Sequence, residues 1–211
     1  MINILIADDH PIVRRGLREL IEDENDLKVE CEVASAEEVL DKLKSCKVDV
    51  IILDISMPGK SGLDLIADLR IQYPDKPILV LSALAEEIYA KRVIKMGAHG
   101  FLNKESAPDL LISAIRKIYS GKKFVSTKLA ELMADELSEN NRKSSLENLS
   151  PREFEVVRLI GMGKTIGEIA ENLNLSANTV STYRARILEK LGLKNNAEII
   201  QYCIQEKLFI N

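Results

Sequence analysis

Four consecutive apolar residues, Val50-Ile51-Ile52-Leu53, restrict the fold of this chain more than any other feature. A strand sends successive side chains to opposite faces, so an unbroken apolar run needs apolar cover on both. A parallel sheet sandwiched between helices supplies that cover. Similar short apolar runs occur at 2–7, 28–33, 48–53, 77–82 and 98–102. Between them lie segments with helical spacing. Val13, Leu17, Leu20 and Ile21 form one stripe, and Leu63, Ile66, Leu69 and Tyr73 form another. This alternation over residues 1–120 predicts an α/β domain built on five parallel strands.

In an open parallel sheet, ligands bind outside the carboxyl ends of the strands. The residues at those ends are Asp8 and Asp9, Asp54, Ser82 and Lys104. A single aspartate after a strand is commonly a solubilising cap. Three carboxylates, a hydroxyl and an amine at one edge are not explained that way. Adjacent carboxylates repel, so one or more should have a raised pKa unless a cation sits among them. Oxygen-only donors in small number suit Mg²⁺, which also coordinates phosphate. Beside such a cation, Asp54 would stay ionised as a nucleophile toward phosphorus. Lys104 would face the phosphoryl oxygens.

After Gly121 the rhythm stops. Residues 137–145 are polar and lack the apolar content to fold alone, so 121–147 reads as a linker, with a short helix possible over 128–137. From Leu149 the pattern is helical throughout. Ser150-Pro151 opens one helix, Thr165 caps a second, Ser176 caps a third that ends at Gly192, and a fourth starts near Ala197. The tight turn Leu173-Asn174-Leu175 between the second and third matches a helix-turn-helix. On the third helix, Val180, Ile187 and Leu191 share one face, with Tyr183 at its margin. Asn178, Ser181, Thr182, Ala185 and Arg186 project from the other, a short polar basic face suited to a major groove. Thr165, Thr179, Arg184, Lys190 and Lys194 lie where phosphate contacts are expected. For an isolated helix a basic polar face is usually only solvated. The turn and the caps shift that reading toward double-stranded DNA.

The formal net charge of −4 hides an asymmetry: residues 1–120 carry −5, residues 148–211 carry +1, and residues 176–194 carry +3. An acidic front with one basic helix behind it fits a DNA module carried by a larger partner domain. No run approaches the ~18 apolar residues of a membrane span. The start shows no basic n-region or cleavage site. Cys31, Cys46 and Cys203 lack CxxC spacing and read as structural thiols. A cytoplasmic protein is expected. His10 and His99, the two histidines, are taken as structural or exposed.

The motifs Asp8-Asp9-His10-Pro11, Leu53-Asp54 through Ser61-Gly62, Leu81-Ser82-Ala83 and Phe101-Leu102-Asn103-Lys104 resemble the receiver domain of response regulators. The segments Leu149-Ser150-Pro151-Arg152-Glu153, Ile166-Gly167-Glu168-Ile169-Ala170, Leu175–Val180 and Leu188–Gly192 resemble the LuxR-type helix-turn-helix. Together they resemble the NarL/FixJ class of two-component response regulators. The resemblance implies a flavodoxin-like receiver over 1–120 and a four-helix DNA-binding domain over 148–211. It implies that Asp54 is the phosphoacceptor, served by a sensor histidine kinase. It implies that Asp8, Asp9, Asp54 and the Ser56 carbonyl hold Mg²⁺. Ser82 would hydrogen-bond the phosphoryl group, and Phe101 would be the aromatic that moves inward with it. Phosphorylation would favour a homodimer, a released DNA-binding domain, or both. The last helix, through Ile199, Ile200, Cys203 and Ile204, would offer a dimer stripe.

Two other classes fit less well. An aspartate-nucleophile phosphohydrolase generally needs an acid two residues after the nucleophile, where this chain has Ser56. A binding module with a vestigial receiver would not need all five acidic-site residues. A regulator with no sustained turnover is therefore expected.

Overall fold

The computed structural model describes residues 1–57, 62–131, 145–206 and 208. The chain divides into two compact units, Met1–Ser138 and Glu139–Asn211. The first contains β1 (Ile2–Ala7), α1 (Pro11–Glu22), β2 (Leu27–Val33), α2 (Ala36–Ser45), β3 (Val50–Leu53), α3 (Gly62–Gln72), β4 (Ile78–Ser82), α4 (Glu86–Lys95), β5 (Gly100–Asn103) and α5 (Ala107–Tyr119). The sheet order is β2-β1-β3-β4-β5, and every neighbouring pair is parallel.

The expected doubly wound α/β unit is therefore present, and the pleat explains its apolar strands. Ile4 and Ile6 pack with Leu17, Ile21, Leu111 and Ile115 of α1 and α5 in one cluster. Leu5, Ile51 and Leu53, on the alternate pleat positions, are equally buried. Burying each such side chain contributes roughly 1.5–3 kcal/mol. β3 begins at Val50, later than the apolar run suggested. Asp49, inside that run, instead uses its carboxylate to accept from the Asn3 backbone and side-chain amides at 2.8 and 2.9 Å.

The second unit contains α6 (Pro151–Gly161), α7 (Ile166–Leu173), α8 (Ala177–Leu191) and α9 (Asn196–Gln205). Ser150 and Thr165 each form a capping box with the glutamate three residues on, Glu153 and Glu168. Ser176 accepts from the Thr179 N–H in the same manner. The turn between α7 and α8 is made by Asn174, which adopts a left-handed conformation with φ 52°. Phe154, Val157, Ile160, Ile169, Val180 and Ile187 fill the core.

Two expectations change in detail. The apolar stripe proposed for dimerisation is divided: Ile199 and Cys203 are fully buried in the unit's own core, and only Ile204, 63% exposed, faces outward strongly. A four-helix unit this small needs those two residues inside. The segment read as linker starts inside the first unit. Phe124 forms an isolated bridge with Gly100 of β5 and joins the core cluster, and residues 127–131 are helical. The rest of the expected 128–137 helix and the polar residues up to 144 lie outside the described residues.

Candidate functional site

The sheet order places the site. Chain winding reverses between β1 and β3, so the loops after these neighbours diverge and leave a crevice at their carboxyl ends. Asp8 and Asp9 leave β1, and Asp54 leaves β3. The Asp54 N–H donates to the Ala7 carbonyl at 2.8 Å, carrying the pairing of the two strands up to the carboxylates. Asp8 and Asp54 are buried, with side chains 2% and 1% exposed, and Asp9 is 28% exposed at the rim.

Lys104, just beyond β5, reaches between the buried acids. Its Nζ lies 2.6 Å from Asp8 Oδ2 and 2.7 Å from Asp54 Oδ2. Burial pushes the Asp54 carboxyl above the usual carboxylate range, against the pull of Lys104 and of the Ser56 N–H, which donates to Asp54 Oδ1 at 2.8 Å. Burial also opposes the Lys104 charge, but its hydrogen bonds to Asp54 and Asp8 outweigh that and raise its pKa. Ser82 is fully buried at the end of β4, where its Oγ accepts the Leu84 N–H at 3.2 Å. Phe101 is also fully buried, on β5.

The donor set fits a hard divalent cation. Asp8, Asp9, His10 and Asp54 each offer a ligand atom, all within 4.8 Å of one another. The buried members are carboxylates, and the ammonium between them shows that a positive charge is needed there. Sequence reading missed several supports. His10 Nδ1 lies 2.8 Å from Asp9 Oδ1, so this histidine belongs to the rim of the site. Arg14 donates to the Asp8 carbonyl at 2.5 Å, fixing the start of the acidic loop. Gly62 approaches the residue after Asp54 closely: a Cβ there would stand 2.9 Å from the Ile55 carbonyl oxygen. The glycine was visible in the motif, but its reason is a backbone contact that no spacing reveals.

In the second unit, Asn178, Ser181, Thr182, Ala185 and Arg186 lie on the exposed side of α8, and Val180 and Ile187 face inward. Among the residues expected at phosphate, Thr165, Lys190 and Lys194 are exposed. The Thr165 hydroxyl also donates to Glu168 Oε2 at 2.9 Å within its cap. Thr179 is half-buried, its hydroxyl 2.8 Å from that of Ser176. Arg184 donates to Asn196 Oδ1, and Lys190 to Glu153 Oε2, so both carry internal bonds.

A doubly wound unit with a buried aspartate pair bridged by lysine, followed by a separate helix-turn-helix unit, defines a receiver coupled to a DNA-binding module. Comparison with known proteins agrees. Residues 4–116 match the response regulator receiver domain, and residues 147–203 match the bacterial regulatory proteins of the luxR family. The response regulator UvrY of Escherichia coli K12 is 35% identical over 99% of this chain and 96% of its own length. The oxygen regulatory protein NreC of Staphylococcus aureus is 35% identical over 97% of this chain and 98% of its own. RcsB of Salmonella enterica serovar Typhimurium, solved on promoter rprA with the phosphomimetic BeF₃⁻, is 30% identical, covering 96% of this chain and 98% of that one, with a TM-score of 0.69. The chain belongs to the response-regulator family, in the NarL/FixJ class, as a receiver joined to a LuxR-type helix-turn-helix. Among the described residues no helix is long and apolar enough to cross a membrane.

Proposed function

We propose that this response regulator is switched by phosphorylation of Asp54 and acts as a cytoplasmic, promoter-binding transcription factor. The observation that carries the reading is the Lys104 ammonium held between Asp8 and Asp54 in a buried site at the switch point of the sheet. Asp54 is the nucleophile. Lys104 is placed to shift from carboxylate to phosphoryl oxygens, and Ser82 to hydrogen-bond the same group. Phe101 is the aromatic that would move inward with it. Asp8, Asp9, Asp54 and the Ser56 carbonyl would hold Mg²⁺. The ion would neutralise the incoming phosphoryl charge. The position two beyond Asp54, where a dedicated acid would stand, is Ser56, which favours a phosphoryl group that acts as a signal over sustained turnover.

The donor is a sensor histidine kinase. The output is double-stranded DNA, read by Asn178, Ser181, Thr182, Ala185 and Arg186 in the major groove. Thr165, Thr179, Arg184, Lys190 and Lys194 flank that face toward the phosphates. RcsB structures on promoter DNA support this, and one contains two RcsB dimers on parallel DNAs. A phosphorylated homodimer would bind two half-sites about one helical turn apart. Residues 1–120 serve as receiver and 148–211 as DNA-binding domain, and 121–147, whose first part packs on the receiver at Phe124, join them.

Labelling with radioactive acetyl phosphate and Mg²⁺ tests the proposal. Wild type should incorporate about one phosphoryl group per chain, and Asp54→Asn none. Equal labelling of the mutant would overturn the assignment.

A further inference from the structure

A path of contacts leads out of the acidic site and ends on the chain beyond α5. The Leu84 N–H bonds to Ser82 Oγ, and the Leu84 carbonyl accepts from Asn103 Nδ2 at 3.5 Å. The loop after β4 is thus tied to Ser82 and to the end of β5. α4 begins two residues later, and Glu87 in its first turn forms an ion pair with Lys128. Lys128 belongs to a stretch anchored beside β5 at Phe124. The Phe124 N–H donates to the His99 carbonyl at 2.8 Å, and the Lys117 ammonium lies 5.6 Å from the Phe124 ring centroid. The Leu129 side chain is 1% exposed, and its N–H donates to Ser126 Oγ at 3.0 Å. Gly100 permits the contact with β5: a Cβ there would stand 3.0 Å from Phe124 Cβ and 3.1 Å from its carbonyl oxygen.

We propose that residues 124–131 form an output latch, closed onto α4 by the Glu87–Lys128 pair and opened when Ser82 turns to a phosphoryl group on Asp54. The latch rests on the phosphoacceptor reading above. Turning Ser82 Oγ toward Asp54 withdraws the acceptor of the Leu84 N–H. The loop must then re-form its bonds, and the first turn of α4 is attached directly to it. Lys128 is 64% exposed, so its ion pair is weak enough to break under one modification. Phe124, buried against β5, stays as the hinge. The chain that continues to the DNA-binding unit is thereby loosened at Lys128 while remaining anchored at Phe124.

Hydrogen exchange on the full chain with Mg²⁺, before and after acetyl phosphate, tests this. Intact mass first establishes whether a phosphoryl group has been added, which judges the phosphoacceptor reading by itself. In phosphorylated protein, amides 127–131 should exchange roughly two- to fivefold faster, the change that losing an exposed ion pair allows. Lys128→Glu should give the same acceleration without phosphate, and Glu87→Lys with Lys128→Glu should restore slow exchange. Phosphoryl incorporation with unchanged exchange at 127–131 would overturn the latch, as would a Lys128→Glu protein that exchanges like wild type.

Discussion

Lys190 Nζ stands 2.6 Å from Glu153 Oε2, joining a half-exposed ammonium on α8 to a carboxylate that is 2% exposed on α6. Glu153 also accepts the Ser150 N–H at 2.7 Å. Burial works to raise its pKa, yet Lys190 and Ser150 together hold it below the usual range. Lys190→Ala should leave that charge unneutralised and destabilise the second unit by about 1–3 kcal/mol. Because the folded pKa is depressed, the stabilisation is present above the unfolded value of 4.5 and disappears as pH falls through the folded one. Thermal unfolding across acid pH checks this. A Lys190→Ala protein with the wild-type acid limb would show that the pair contributes nothing.

Lys104 pairs with two buried carboxylates at once. Lys104→Met should therefore cost about 3 kcal/mol. Millimolar Mg²⁺ should raise the unfolding midpoint of this mutant more than that of wild type, since the cation would replace the missing charge. Equal Mg²⁺ shifts in the two proteins would argue that the ion binds elsewhere.

Gly62 opens α3 where a side chain would strike the Ile55 backbone. Gly62→Ala should displace the residue that follows Asp54 and destabilise the receiver by about 1–3 kcal/mol. Labelling by acetyl phosphate should fall with it. Labelling and stability both at the wild-type level would mean that the loop yields freely.

His99 Nδ1 accepts the Ile78 N–H at 3.3 Å. Burial lowers its pKa, helped by Arg70 and Lys123. The unfolded chain thus binds a proton near pH 6.5 that the folded chain resists, so the receiver loses stability as pH drops from 6.5 toward the folded pKa. His99→Asn, which keeps an acceptor but cannot titrate, should flatten that part of the stability curve. Denaturant midpoints between neutral and mildly acid pH provide the measurement.

The strands and the acidic cluster were legible because their causes are local: an apolar run needs two covered faces, and the residue after each run sits at the sheet edge. Asp54, Ser82 and Lys104 could be placed by that rule before any geometry was known. Contacts between distant segments left no such mark. Nothing in the spacing of Glu153 and Lys190, or of Glu87 and Lys128, says that they meet. The apolar stripe of α9 looked available for a partner because a helix pattern records which side chains are apolar and not which neighbour covers them. His10 is exposed, as one of its two readings had it, but its neighbours in space are the carboxylates of Asp8 and Asp9, which a reading of it as merely exposed does not supply.

Arg186 and Lys194 would separate the two kinds of DNA contact proposed above. Both are exposed, Arg186 on the same side of α8 as Asn178 and Thr182, and Lys194 beyond the end of that helix. Thr182 Oγ1 donates to the Asn178 carbonyl at 3.0 Å, which leaves its methyl group and the oxygen's acceptor lone pairs to meet a base, whereas Arg186 brings a planar two-pronged donor suited to guanine. With a target selected from random duplexes by the phosphorylated protein, Arg186→Ala should cost roughly 1–3 kcal/mol on that target and much less on unrelated DNA. Lys194→Ala should weaken both duplexes alike and lower the slope of log affinity against log salt by about one. If Arg186→Ala instead behaves like Lys194→Ala, with equal losses on both duplexes and a shallower salt slope, Arg186 touches phosphate, and base readout must rest on Asn178, Ser181, Thr182 and Ala185.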